Sequence, residues 1–224
     1  GRAVGGRECG GGWWDLAAVR IITSRRVQVV AGAAGQGQGR ETCWSMIGAA
    51  RLGVDHDDVE VLHAATAISP LGMDTCGSRS LSVGGTAIWM ATEKVVEKAA
   101  MIAGHMPEAS VDDLEFSGGT FSVKGSPGAE VPLAAIAFGA FTAHDLPDGV
   151  EPNLEAQVSW DPPNFTFPFG AHIAVVEVDE ETGAVELVDY AAVDDCGNQI
   201  NPMIVEGQLH GGIVQGVAQA LWEE

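Results

Sequence analysis

The sequence is poor in positive charge. Its 224 residues include 11 Lys and Arg against 31 Asp and Glu, which gives a formal net charge of −20. Nucleic acids and anionic membranes attract proteins through a positive field, so neither is expected as a partner. No run approaches the roughly 20 uninterrupted apolar residues that a membrane-spanning helix requires. We interpret the acidic surface as a source of solubility.

Cysteines are few and scattered. Cys9, Cys43, Cys76 and Cys196 never form a C-x-x-C pair, so neither a zinc site nor an iron–sulfur cradle is encoded. Two disulfides could still form, but the first residues lack the charged head and apolar core of a signal peptide. We therefore expect a reducing, cytoplasmic setting.

The two ends of the chain lack the usual signals of a complete protein. There is no initiating Met, and Trp222 to Glu224 fall inside a helical pattern that has no C-cap. We expect a fragment of a longer polypeptide.

Glycine and apolar residues are abundant. With 30 glycines and 46% hydrophobic residues, the composition is typical of a globular α+β or α/β protein. Residues 111–150 are expected to form a peripheral excursion of two strands and a helix that carries no chemistry. Elsewhere, hydrophobic periodicity predicts a hairpin of strands at 16–23 and 27–31, and further strands at 59–63, 154–160, 171–179 and 184–193. It predicts helices at 41–52, 84–105 and from Pro202 onward. The helix at 84–105 is expected to bury an apolar stripe formed by Ala87, Met90, Val95, Ala99 and Ile102.

The last helix carries amides and glycines where a core helix would carry leucines. Asn201 is a plausible N-cap and Pro202 suits the first helical position. Within the helix, polar and small residues recur at spacings of three and four and so share one face: Gln208, Gly212, Gln215, Gly216 and Gln219. The glycines indicate either close helix packing or a flat, polar ligand lying against the backbone, with the Gln208 and Gln215 amides at its edge.

A second unusual segment is the glycine-rich turn at 31–39, which follows a strand and precedes a helix. Free N–H groups at a helix start make such a turn an anion or carbonyl site. The Gly-Lys-Ser/Thr ending of a phosphate loop is absent, and G-x-G-x-x-G does not occur there. A tight turn without a ligand remains the alternative.

A third segment is the long loop at 69–80, which leads into the next helix. Ser78, Arg79 and Ser80 offer hydroxyls, N–H groups and a guanidinium suited to a phosphate. The alternative for Arg79 is an ion pair with a surface acid. Phe167 and Phe169 around Pro168 are either core packing or the edge of a substrate funnel, and His172 is interpreted as a satisfied strand histidine.

These segments resemble a known family. Residues 194–202 read Asp-Asp-Cys-Gly-x-x-Ile-Asn-Pro and residues 208–216 read Gln-x-x-Gly-Gly-x-x-Gln-Gly. Both are similar to the molybdopterin-binding large subunit of the xanthine oxidase and aerobic carbon monoxide dehydrogenase family, as are 37–42, 76–80 and 166–172. The motifs follow the family's order over nearly the whole chain.

The resemblance implies an α+β fold in which long helices pack on hairpins, here as a partial molybdopterin-binding domain over 1–224. The implied domain has three parts. Residues 1–110 carry the Gln-Gly turn and the Gly-Ser-Arg-Ser loop, residues 111–150 form a peripheral insert, and residues 151–224 carry the hairpin and the helix with the Gln-Gly motif. It implies cofactor contacts at Gln38, Gly39, Cys76, Gly77, Ser78, Arg79, Ser80, Asp195, Cys196, Asn201, Gln208 and Gln215. Gln36 and Arg40 stand where many relatives have His, and Cys76 replaces a common Tyr.

The resemblance also implies the chemistry. Molybdenum would be held by the dithiolene of molybdopterin cytosine dinucleotide rather than by protein ligands, and would support oxidative hydroxylation with oxygen from water. The substrate would be carbon monoxide, an aldehyde or a heterocycle, and the loop segments are most similar to the carbon monoxide dehydrogenase branch. No catalytic residue is assigned, because the general-base Glu of the family is expected beyond Glu224.

The implied assembly contains an iron–sulfur small subunit with 2Fe-2S clusters and an FAD-binding medium subunit, arranged as a dimer of heterotrimers. The assembly would be cytoplasmic, or its partner subunits would attach it to the inner face of the membrane. Two other classes stay open: a non-redox nucleotide- or phosphate-binding module, and a structural subunit without activity.

Overall fold

The structure is a computed structural model that describes residues 2–6, 8–10, 13–69, 71–126 and 128–223. Pro70 of the predicted loop and the terminal Glu224 lie outside the described residues. The strands are β1 (Arg2–Gly6), β2 (Asp15–Ile21), β3 (Val27–Ala31), β4 (Val59–Leu62), β5 (Leu114–Ser117), β6 (Thr120–Val123), β7 (Glu130–Pro132), β8 (Leu154–Trp160), β9 (Phe169–Val178) and β10 (Val185–Asp195). The helices are α1 (Arg40–Leu52), α2 (Thr86–His105), α3 (Leu133–Thr142) and α4 (Pro202–Leu221).

The core lies against a four-stranded sheet with the order β4-β3-β2-β8. Strand β2 alternates buried and half-buried positions, and Ala17 and Val19 face the helices with almost no exposure. Strands β2 and β3 pair antiparallel, as the predicted hairpin requires, whereas β3 and β4 pair in parallel. A parallel pair needs a crossover, and α1 supplies it. The predicted mixed α+β class is confirmed.

Helix α2 packs on this sheet through the predicted apolar stripe. Ala87, Val95, Ala99 and Ile102 are at most 1% exposed. A π-helical turn, Ser80–Gly85, precedes α2, so the helical segment begins before the predicted start at Gly84. Such turns occur frequently at functional sites, and this one follows the predicted cofactor loop directly.

The excursion at 111–150 contributes more to the core than the sequence indicated. It contains a third strand, β7, which pairs with β6. Phe121 and Ile136 are buried and belong to the main hydrophobic cluster together with residues of α2. The description of this segment as peripheral is therefore wrong in its packing, because α3 closes one side of the core.

The third sheet, β1-β9-β10, is built on a long hairpin. The register of β10 against β9 shifts between Leu187 and Asp189, which places one extra residue in β10 as a β-bulge. Strand β1, which was not predicted, pairs with the free edge of β9. Helix α4 lies beside this hairpin, and none of its described residues is buried. In the part of the chain that the structure describes, no helix is long and apolar enough to cross a membrane.

Two glycines with similar backbone angles allow a test of close packing. Gly53 ends α1 with φ of 66°, and a Cβ there would meet the backbone nitrogen of Gly119 at 2.6 Å. Gly125 has φ of 76° and open space around it. We expect Gly125→Ala to cost about 1–2 kcal/mol from left-handed strain, and Gly53→Ala to cost about 1–3 kcal/mol more from overpacking. Urea unfolding measures both, and equal losses would contradict the contact between the end of α1 and the β5–β6 turn.

Candidate functional site

A cavity of about 990 Å³ opens where four segments of the chain meet. The segments are the glycine turn before α1, the loop and π-turn before α2, the end of β10, and the first turns of α4. Eight of the predicted site residues line the cavity: Gln38, Gly39, Ser78, Ser80, Asp195, Cys196, Asn201 and Gln208. The chain thus brings residues from its first half and its last quarter to one place.

The glycine turn is shaped by close contact with α4. Gly39 has φ of 73°, and a Cβ there would meet Ile204 Cδ1 at 2.6 Å. Glycine therefore both adopts the left-handed conformation and admits the start of α4. The Gln36 N–H donates to Gln38 Oε1 at 2.6 Å, and Gln38 lines the cavity.

A histidine holds the same turn from the other side. The Gly35 N–H donates to His63 Nδ1 at 3.2 Å, so His63 Nε2 carries the proton and donates to Glu41 Oε1 at 2.8 Å. The pKa of Glu41 is lowered by its own backbone N–H at the start of α1 and by His63. His63 is therefore satisfied within the fold.

The start of α4 is capped as predicted. Asn201 Oδ1 accepts from the Ile204 N–H at 3.1 Å, and Asn201 Nδ2 lies 3.5 Å from Met46 Sδ on α1. The Asn201 side chain therefore joins the beginning of α4 to α1. Burial raises the pKa of the neighbouring Cys43 thiol, so this cavity wall carries a neutral thiol.

Arg79 requires a correction. It was expected to face a phosphate or to pair with a surface acid, but its side chain is fully buried. Nη1 donates to Asp74 O at 2.9 Å and lies 3.3 Å from Asp15 Oδ2, and Nη2 donates to Trp13 O and Trp14 O at 2.8 Å. Both Nη atoms are occupied by protein acceptors, whereas Nε has no hydrogen-bond partner among the described residues. Arg79 therefore joins the loop to Trp13, Trp14 and Asp15.

Asp15 is the buried partner of this arginine. Burial raises the pKa of its carboxyl, while the Leu16 N–H and the Arg79 guanidinium act in the opposite direction. Gly32 and Gly72 approach each other next to Asp15 Oδ1, and a Cβ on either would lie 2.8 Å from that oxygen. The absence of side chains at these two glycines therefore leaves room for the buried pair.

Three other predicted residues do not line the large cavity. Cys76 and Gly77 lie in the exposed part of the loop, where Gly77 O accepts from the Gly10 N–H at 3.1 Å. Gln215 is exposed on α4 and lines neither this cavity nor the smaller one described below. Their roles in holding a cofactor stay predictions.

His172 is a site residue that the sequence interpretation missed. Its Nδ1 lies 2.9 Å from Tyr190 Oη and its Nε2 lies 3.2 Å from Asp194 Oδ2. It is satisfied, as expected of a strand histidine, but it lines both cavities. The alternation of side chains along β9 predicts which face of the sheet carries His172. Its contacts with Tyr190 and Asp194 depend on the register of β10, which the sequence does not give.

A smaller cavity of about 410 Å³ lies between the hairpin and α4. Its walls are mostly apolar, with a polar end at His172, Tyr190 and Gln208. Gly212 and Gly216 also line it. A Cβ at either glycine would meet no described atom within 4 Å, so close packing within the described residues does not explain these glycines.

All four cysteines are free thiols in the described residues. Among those residues, the side chains with clustered metal-binding atoms are the exposed Asp55, His56 and Asp57. They line neither cavity. The polar lining of the large cavity consists of amides, hydroxyls, one arginine, one histidine, two thiols and three carboxyl groups, those of Asp194, Asp195 and Glu206.

The sequence pattern of the molybdopterin cofactor-binding domain matches residues 2–224. Similar proteins include the carbon monoxide dehydrogenase large chain of Hydrogenophaga pseudoflava, 41% identical over 215 residues. The nicotine 6-hydroxylase large subunit of Paenarthrobacter nicotinovorans is 33% identical over 211 residues. These alignments cover 96% and 94% of this chain but 26% of each relative, so the chain spans about a quarter of their length.

Solved structures give the same result. Reconstituted CO dehydrogenase from Oligotropha carboxidovorans superposes with a TM-score of 0.88 at 38% identity, over 95% of this chain and 28% of that one. Quinoline 2-oxidoreductase from Pseudomonas putida 86 superposes with a TM-score of 0.88 at 35% identity, over 98% and 29%. The fold of the described residues is thus shared with both.

The buried pair generates a stability prediction. Arg79→Met leaves the Asp15 carboxylate without its partner, so we expect a loss of about 3–5 kcal/mol in unfolding free energy at neutral pH. Because burial raises the pKa of Asp15 above its ordinary 3.8, the carboxyl favours the fold below that value, and this contribution is lost as the pH rises through the folded pKa. The loss should therefore shrink on acidification.

Urea unfolding at several pH values provides the measurement. Arg51→Met is the matched control, since Arg51 pairs with Glu93 on a partly exposed surface and should cost no more than about 1 kcal/mol. An equal loss for both variants, or a loss at Arg79 that does not depend on pH, would contradict the buried charge.

Proposed function

The chain belongs to the family of molybdopterin cofactor-binding domains, and from this premise we propose that its large cavity holds the organic part of the molybdenum cofactor of an oxidoreductase. The observation that carries the proposal is the convergence on one cavity of three parts of the chain that are distant in sequence. They are the turn before α1, the loop before α2, and the stretch from the end of β10 into α4. A large pocket with a few convergent polar groups is the usual place for a small-molecule or cofactor site.

The lining suits a flat, polar heterocycle with phosphate groups. Gln38, Asn201 and Gln208 offer amides, and Ser78 and Ser80 offer hydroxyls. Each can donate and accept, as a pterin edge requires. The N-terminus of α1 adds free backbone N–H groups, which favour negative charge.

The bound cofactor would supply two-electron redox chemistry, and the protein would supply binding, orientation and electrostatics. In this chain Gln38 and Gln208 would orient the heterocycle from two sides, and Gly39 would admit it to the backbone. Phe169 would shield the cavity mouth from water. We assign no general base here, because Glu206 lines the cavity but does not match the family's base motif.

The whole enzyme is proposed to be a molybdenum hydroxylase that takes oxygen from water. The names of its relatives support a small-molecule substrate, since they refer to carbon monoxide, nicotine and quinoline. We propose the cytosine dinucleotide form of the cofactor. The words "large chain" and "large subunit" in those names support smaller partners, which we propose to be an iron–sulfur and an FAD-binding subunit of a cytoplasmic dimer of heterotrimers.

The two alternative classes are supported less well. A nucleotide-binding module without redox chemistry would need the loop of Ser78, Arg79 and Ser80 and the helix that follows. It leaves the glutamines of α4 unexplained, and both Nη atoms of Arg79 are bonded to protein acceptors. A structural subunit depended on close packing of the α4 glycines, and the described residues leave open space at all four.

The position of Gln208 generates a test of the proposal. Gln208 lines both cavities, whereas Gln215 lines neither. In the purified, cofactor-loaded protein we expect Gln208→Ala to lower molybdenum and pterin content roughly tenfold, because a ligand hydrogen bond is worth about 0.5–1.5 kcal/mol and its loss leaves a buried ligand group unpaired. Gln157→Ala is the matched control, because Gln157 is exposed on β8 and lines neither cavity. It should change the content less than twofold, well below that roughly tenfold loss.

Metal analysis and pterin fluorescence after release measure the content, and circular dichroism checks the fold. Wild-type protein that carries neither molybdenum nor pterin would sink the proposed function. Protein with normal content in Gln208→Ala would remove Gln208 from the site.

A further inference from the structure

Arg40 lines the large cavity and has two buried side-chain nitrogens without a hydrogen-bond partner among the described residues. It is the first residue of α1, it lines the cavity, and it is 4% exposed. Its Nη1 donates to the carbonyl oxygen of Ala34, and its guanidinium carbon lies 5.7 Å from the Trp44 ring centre. No hydrogen-bond partner of Nε or Nη2 is found among the described residues. Buried donors without a partner are rare in native proteins.

The two free nitrogens form a matched pair. Nε–H and Nη2–H lie on the same edge of the planar guanidinium and point in nearly parallel directions. This fork fits two oxygens of one phosphate or carboxylate group. A single carbonyl oxygen would satisfy only one of the two donors.

The nearby acids are already occupied. Burial lowers the pKa of Arg40, and the charges of Asp74, Glu41 and Asp15 oppose that effect. Each of the three carboxylates has its own partner: Asp74 Oδ1 accepts from the Ala34 N–H at 2.8 Å, Glu41 Oε1 from His63 Nε2 at 2.8 Å, and Asp15 Oδ2 from Arg79 Nη1 at 3.3 Å. None of these carboxylates is hydrogen-bonded to Nε or Nη2 of Arg40, so both donors are available to a further acceptor.

We propose that Arg40 binds a phosphate group of the bound ligand through Nε and Nη2, the role that the sequence had indicated for Arg79. The assignment rests on the proposed function, because that function supplies a ligand carrying phosphates. A phosphate is favoured over a carboxylate because α1, a helix of 13 residues, directs its free N–H groups at the same place. Ser78 and Ser80 line the same cavity and can donate to further phosphate oxygens.

The experiment compares Arg40→Gln and Arg40→Lys with Arg26→Gln. Arg26 is exposed in the β2–β3 turn and lines neither cavity. Inorganic pyrophosphate is titrated into cofactor-free protein by calorimetry, and cofactor release from loaded protein is followed by pterin fluorescence. We expect Arg40→Gln to bind pyrophosphate and retain cofactor roughly tenfold to a hundredfold less well, as for the loss of a charge-assisted fork.

Arg40→Lys keeps the charge without the fork, so its affinity and release rate should fall between those of Arg40→Gln and the wild type. Circular dichroism would show whether Arg40→Gln folds. If it does not, Arg40→Lys still tests the role of Arg40. Arg26→Gln should match the wild type in both measurements.

The outcomes separate the two claims. Equal pyrophosphate affinity and cofactor release in the wild type and both Arg40 variants would overturn the role of Arg40. Tighter binding of acetate than of pyrophosphate at Arg40 would overturn the phosphate assignment. Wild-type protein without molybdopterin would sink the proposed function, and the pyrophosphate titration would still decide the role of Arg40.

Discussion

The buried pair of Asp15 and Arg79 is the interaction on which the site depends. It joins the start of β2, the carbonyls of Trp13 and Trp14, and the loop that carries Asp74. Two charges withdrawn from water are tolerated only when their geometry is good and further acceptors are present, and here three carbonyl oxygens provide them. The loop is therefore held by the protein itself, and Ser78 and Ser80 reach the cavity without help from a ligand.

The spacing of apolar and capping residues predicted the regular helices and strands. The stripe of α2, the hairpin of β2 and β3, and the cap at Asn201 follow from residue spacing and are confirmed. Strand β1 was missed because its sequence is short and glycine-rich, and it pairs only because β9 offers a free edge. The family assignment rested on motifs and is also confirmed. Residue spacing alone would not have decided whether the glycine turn binds a ligand or is only a tight turn.

The two arginines show what sequence reasoning could not reach. Arg79 sits in a loop of small polar residues that suggested exposure, but the acceptors that bury it come from Trp13 and Trp14, far away in the chain. Arg40 was noted only as a departure from the family. Its importance depends on which nitrogens lack partners, and that depends on tertiary structure.

The β-bulge in β10 has a consequence for the hairpin. Side chains along a regular strand alternate between two faces, so residues three apart point in opposite directions. Leu187 and Tyr190 nevertheless line the same cavity, because the extra residue between Leu187 and Asp189 reverses the alternation. The bulge thus changes which residues of β10 face the cavity. Apolar Leu187 precedes the bulge, and Tyr190 and Asp194, the polar partners of His172, follow it on the same face of the strand. Without the extra residue, Leu187 would point away from the face that carries Tyr190 and Asp194.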